Sequence, residues 1–229
     1  MPSPSTPSIA SPGLRGAVLL LSMGLVLTTA VAVSISVSDH LRQTAINEAV
    51  RATESIVVGS MGTETVAAAL ADPTGPSASG ISSRLTEIVT AGQILRIKVW
   101  TPDGHIAFSD LAVLRGKQFK VDEDLAASLT GQTSTSFTDG ADTENVFERG
   151  LASRFLSIYL PIRNTAGQVI GSYEMYEDAG PIEADVTATR RDVVLFVGAM
   201  AMALLGLISV AFAGSSRLLT VQNRRLRDQ

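Results

Sequence analysis

The chain has 229 residues, 45% hydrophobic and 17% charged, with a formal net charge of −4 and no cysteine. The acidic balance argues against a nucleic-acid partner, and the missing cysteine excludes disulfides, thiolate chemistry and Cys-based metal sites. About 150 residues between two apolar runs are enough to bury an apolar core of ordinary size.

Residues 1–15 are mostly Pro, Ser and Thr, a composition that cannot bury apolar surface, and are expected to be disordered on the cytoplasmic side. The run Ala17 to Val37 is free of charge and long enough to cross a bilayer, which takes about 20 apolar residues, so residues 16–37 are assigned as a first transmembrane helix. A cleaved secretory signal is the competing reading of this run, with Ala30-Val31-Ala32 as a cleavage site; the length of the run and the helical continuation through Ala49 favour a retained anchor. From Ser38 to about Ala71 apolar residues recur at helical spacing, with a break expected at Gly59-Ser60-Met61-Gly62 and an end at Asp72-Pro73. Ser82 to Ala91 reads as a short helix, capped by Ser82 or Ser83 and closed by Gly92.

The period then changes to two. Ile94 to Thr101 alternates Leu95, Ile97, Val99 against Arg96, Lys98, Trp100, the pattern of a strand with two different faces. Pro102-Asp103-Gly104 makes a hairpin turn into Ile106–Ser109, and Asp122-Glu123-Asp124 suits the positive end of a helix running to Leu129. Further strands are predicted at Ser134–Phe137, Asn145–Phe147, Ser153–Ile162 and Gln168–Tyr176, the last two joined by the turn Asn164 to Gly167. Gly180-Pro181 opens a helix that runs into a second apolar run, Val193 to Ala213, assigned as a transmembrane helix over residues 192–213.

Strands grouped centrally with helices at the ends define an α+β class with a mostly antiparallel sheet. Arg15 before the first span, and Arg217, Arg224, Arg225 and Arg227 after the second, place both termini in the cytoplasm. Residues 38–191 are then extracytoplasmic, and residues 214–229 begin a signalling helix. The stretch between the two apolar runs, Ser38 to Asp192, holds 13 of the 18 basic and 21 of the 22 acidic residues, a formal charge of about −8.

Val99-Trp100, Asp103-Gly104, Ile106, Ser109-Asp110, Leu114 and Gly116, then Tyr159-Leu160-Pro161-Ile162, Gly167, Val169, Ile170 and Gly171, taken in this order between two spans, resemble the PAS-like Cache fold of bacterial extracytoplasmic sensors. The resemblance covers Ser38 to Arg191. It implies an antiparallel sheet with a long N-terminal helix, a small molecule held over one sheet face, and an input role in a membrane receptor, most like a sensor histidine kinase. Diguanylate cyclases and chemoreceptors carry such modules too. After the second span the sequence shows no phosphorylatable His, no nucleotide-binding glycine loop and no cyclase or methylation segment, so the expectation is an input half without its own enzymatic activity.

No catalytic constellation emerges. His40 and His105 have no second His or Cys at ligand spacing, and Asp139 to Asn145 lacks the alternating acids, the glycine and the terminal Glu of a calcium loop, so no metal and no cofactor are expected. What remains is binding. Lys98 and Trp100 share a strand face, as do Ser157 and Tyr159, with Tyr173 on the last strand; together they are the candidate ligand site, one cation, aromatic walls and hydroxyls suited to a small organic anion. The plainer alternative is that Arg96 and Lys98 decorate a wet face while Trp100 and Tyr159 fill the core. Arg154 is a lesser candidate, on the side opposite Ser157 and Tyr159. Ala199, Ala203 and Gly206 form a small-residue stripe in the second span, and Leu219 and Leu226 lie seven apart, both compatible with a homodimer that passes a helix shift across the membrane. A membrane-anchored adaptor or structural protein, and an exported enzyme, are the alternatives.

Overall fold

The structure is a computed structural model that describes residues 12–139, 147 and 150–227. Helix α1 covers Pro12–Met61 without interruption. It ends where Gly62 takes φ 67°, a left-handed backbone that glycine adopts without steric cost, and α2 follows as Thr63–Ala71. Helix α3 spans Pro76–Thr90, six residues more at its start than the serine caps predicted. Pro76 stands at its first position, where the missing N–H costs nothing, and Gly75 serves as the N-cap.

Strands β1 (Arg96–Trp100) and β2 (Ile106–Ser109) form the expected hairpin. A single 3-10 turn at Ala112–Leu114 leads to α4, Glu123–Leu129, whose cap is Asp122: its carboxylate accepts the Leu125 N–H at 2.7 Å. Strands β3 (Ser134–Thr138), β4 (Phe155–Arg163) and β5 (Val169–Asp178) complete a five-stranded antiparallel sheet of order β2-β1-β5-β4-β3. Of the strand expected over Asn145–Phe147 only Phe147 is described, in a turn, and most of the acidic stretch Asp139 to Asn145 lies outside the described residues. Helix α5 runs from Gly180 to Arg227 in one piece and includes Leu219 and Leu226.

The chain divides into two units, residues 42–185 and residues 1–41 with 186–229. In the first, one sheet face carries Ile97, Val99, Leu156, Ile158, Leu160, Tyr173 and Met175 into a core with Val57, Val66, Ile81 and Leu85 of α1 to α3. The other face is covered from the segment around α4: Trp100, Ile106 and Tyr159 pack with Leu114 and Leu125. Both faces are therefore dry, and every residue of β1 is buried. The wet face that the plainer alternative gave Arg96 and Lys98 does not exist, because the sheet is sandwiched rather than one-sided.

Helices α1 and α5 supply two stretches long and apolar enough to cross a membrane, Leu20–Met61 and Gly180–Val210. Leu21, Leu25, Phe196 and Leu207 point outward and are at least two-thirds exposed, an arrangement that water disfavours and lipid accepts. Between the helices, Val26, Ala30, Val197, Met200, Ala201 and Leu204 line an apolar cleft. The stripe Ala199, Ala203 and Gly206 is exposed and is not part of that lining.

Candidate functional site

Alternation and register decide which side chains meet. In β1, Lys98 and Trp100 point to the α4 side; opposite them on β5 lie Glu174 and Ser172. In β4, Tyr159 sits opposite Glu174 and Ser157 opposite Tyr176. Residues directly opposite on neighbouring strands share a face, so Lys98, Trp100, Ser157 and Tyr159 are brought together as the sequence predicts, joined by Glu174 and Tyr176.

Tyr173 is not among them. It is opposite Val99 and Leu160 and belongs to the core on the helical face, so its inclusion in the candidate site is corrected. The cause is a one-residue irregularity between Ile162 and Arg163. Continuing the Arg163–Val169 pairing without it would set Tyr173 opposite Tyr159; the bulge advances the register by one, and a one-residue slip exchanges the two faces. Burial pushes the Tyr173 phenol far above its ordinary pKa.

Glu174 is the centre of the arrangement, and sequence reasoning missed it. Its Oε1 accepts from the Tyr159 hydroxyl at 2.6 Å and from the Tyr176 hydroxyl. Its Oε2 accepts from the Trp100 indole N–H at 2.7 Å and faces Lys98 Nζ at 3.5 Å. Lys98 Nζ also donates to the Tyr176 hydroxyl at 3.3 Å and stands 4.7 Å from the centre of that ring. Both charged side chains are wholly inaccessible to solvent. Burying an ion pair is tolerable only when the geometry is good and the remaining valences are satisfied, and three hydrogen-bond donors and the Lys98 ammonium on two carboxylate oxygens meet that condition.

The surroundings reinforce the protonation of the phenols. Burial first, then the charges of Glu174, Asp122 and Asp124, hold the Tyr159 pKa well above the usual tyrosine value, so it stays a hydrogen-bond donor. Arg96, the next residue along this face, is paired with Asp110 at 2.5 Å, and Asp110 also accepts the Ile97 N–H at 3.0 Å. Ser157 is 2% exposed, and its hydroxyl has no hydrogen-bond partner among the described residues. Arg154 lies elsewhere: it bridges to Glu183 at 2.6 Å and covers the Phe137 ring.

A second polar contact stands at the other end of β5. Thr53 of α1 donates to the Glu177 carboxyl, beside a 520 Å³ groove lined by Ala45, Ala49, Gln93 and Ile182. Burial raises the Glu177 pKa above its ordinary value of 4.5, against the pull of the Thr53 hydroxyl. A carboxyl with a raised folded pKa adds stability that is complete below its unfolded pKa and is lost as pH rises through the folded one. Glu177→Gln, uncharged at every pH, should remove that part of the pH dependence. Unfolding temperatures of both chains across the mildly acidic range will test it, and parallel profiles would contradict it.

Among the described residues no group of three or more His, Asp or Glu could hold a metal ion. His105 is engaged with Asp103 at 2.9 Å on the hairpin.

No protein-family model matches the chain, and no curated protein matches it either. Among solved structures, the sensor domain of E. coli DcuS is 15% identical, over 63% of this chain and 98% of that one, with a TM-score of 0.47. The sensor domain of the V. cholerae histidine kinase DctB is 17% identical, over 67% of this chain and 58% of that one, with a TM-score of 0.45. This chain thus spans under three-fifths of the DctB structure. Both of these neighbours are sensor domains.

Proposed function

We propose that the chain is the input module of a membrane receptor, of the two-component histidine kinase kind, that converts an event in its sensor region (38–191) into a shift of helices. One observation carries this reading: β5, which bears the buried hub Glu174, ends at Asp178 and hands over to α5 at Gly180. The junction is braced, with the Gly180 N–H on Asp178 Oδ1 at 2.8 Å, the Ala179 N–H on the Arg154 carbonyl at 3.1 Å and Arg154 paired with Glu183. A strand coupled this directly to a helix that is also a candidate membrane span suits transmission by helix displacement, which requires a signal with different affinity for two arrangements.

In this reading both termini are cytoplasmic, residues 16–37 and 192–213 cross the membrane, and two copies pair through their helices. Reporter fusions at Asp122 and Arg225 should fall in opposite compartments; the same compartment for both would end the proposal. A small organic molecule is the signal. Unfolding of the purified chain against a panel of metabolites tests this, since a ligand at a hundred times its Kd adds about 2.7 kcal/mol. A diguanylate cyclase or chemoreceptor output fits the same input.

The closed state of the Lys98 cluster favours a second reading, a membrane-anchored adaptor whose outer domain binds another protein. A panel without any stabilising metabolite would select it.

A further inference from the structure

We infer that Glu174 is a tethered carboxylate ligand: from within the chain it fills the anion position of the donor face, and it closes that face to free organic carboxylates. This stands on the geometry of the cluster alone and holds whether or not the domain is a receptor input.

Lys98, Trp100, Tyr159 and Ser157 are the constituents that would clasp a small organic acid. In the folded chain three of those four already hold a carboxylate, and it is the chain's own. A carboxylate accepts about four hydrogen bonds, and Glu174 accepts three, from β1, β4 and β5, and pairs with the Lys98 ammonium at 3.5 Å. None of the donor capacity directed at its oxygens is left for a second anion. Charge leads to the same result. The Lys98 ammonium is balanced by Glu174, and the neighbouring Arg96 by Asp110 at 2.5 Å. An incoming carboxylate would add a negative charge beside a solvent-inaccessible one, in the field that Asp122 and Asp124 exert at Tyr159. To bind, it would have to expel Glu174 into a sheet face with no water to receive it.

The atoms of the tether suggest the test. Glu174→Ala keeps Cβ and deletes a CH2–COO⁻ unit, which is acetate less one hydrogen. The variant therefore presents a cavity of acetate's size, lined by an ammonium, an indole N–H and two phenols, from which acetate would displace any water. The experiment uses the full chain in detergent and follows thermal unfolding and the emission of Trp100, the only tryptophan. Sodium acetate is compared with sodium chloride at equal ionic strength and with neutral acetamide.

The wild-type chain should unfold at the same temperature in acetate and chloride. Glu174→Ala should unfold at a lower temperature, and acetate alone should recover most of the loss, saturably, returning the Trp100 emission toward its wild-type position. A saturable acetate shift in the wild type, or a Glu174→Ala chain indifferent to acetate or served equally by acetamide, overturns the inference. Should Glu174→Ala yield no folded protein, Glu174→Gln decides. Its amide fills the same space but opposes an NH2 to the donors, so it should unfold at a clearly lower temperature, and wild-type stability in that variant would overturn the inference as well.

Discussion

Lys98→Met should destabilise the folded chain by about 3–5 kcal/mol, the usual cost of leaving one member of a buried ion pair uncompensated. Methionine fits the volume of the lysine stem, so packing is largely kept and the loss is electrostatic: Glu174 retains three hydrogen-bond donors and loses its counter-charge. Adding Glu174→Gln to this variant should restore more than half of the loss. The neutral amide needs no counter-ion, and its carbonyl still accepts from the phenols. A double-mutant cycle from chemical unfolding, monitored through Trp100, measures the coupling directly. Additive effects would mean that Lys98 and Glu174 do not act as a pair.

Gly104→Ala should be nearly as costly, about 2–5 kcal/mol, as two separate penalties combine. Gly104 has φ 83°, which costs a side-chain-bearing residue roughly 1–2 kcal/mol. An added Cβ would also stand 2.6 Å from the Phe119 carbonyl oxygen and 3.2 Å from a Val121 methyl, backbone and packed side chain that must give way at roughly 1–3 kcal/mol. This contact carries the site's cover. The Phe119 N–H donates to the Gly104 carbonyl at 2.9 Å, and the Phe119 ring meets Trp100 edge-on at 6.0 Å. Beyond a lower unfolding temperature, the variant should therefore admit a water-soluble quencher to Trp100 in the still-folded chain. Unchanged quenching together with unchanged stability would refute it.

Much of the architecture was readable because it follows from local chemistry. The Asp103-Gly104 turn, the break near Gly62 and the helix from Gly180 each rest on a residue whose backbone preference leaves little choice. The start of α3 differs from the serine-capped one predicted because Pro76 directly after Gly75 is also how a helix begins. The site was half legible. Alternation put Lys98 with Trp100 and Ser157 with Tyr159 on common faces, and the structure unites them. Alternation is silent on register, and the irregularity beside Arg163 has no mark of its own in the residues around it, so Tyr173 was assigned to a face that Glu174 in fact supplies. Nor does a strand pattern reveal a second layer, so the alternation leaves open both a ligand site and a wet face for Lys98, which is the most enclosed cation among the described residues.

The hub also fixes an order of assembly. Tyr159 reaches Glu174 across the β4–β5 hairpin, a separation of 15 residues, whereas Trp100 reaches it across 74. Closing the shorter loop costs less entropy and happens sooner. Glu174 should thus emerge from early folding held by its hairpin neighbour and still hydrated. It sheds that water only when β1 arrives with the ammonium, so the strand that brings the neutralising charge is also the one that seals the sheet's centre.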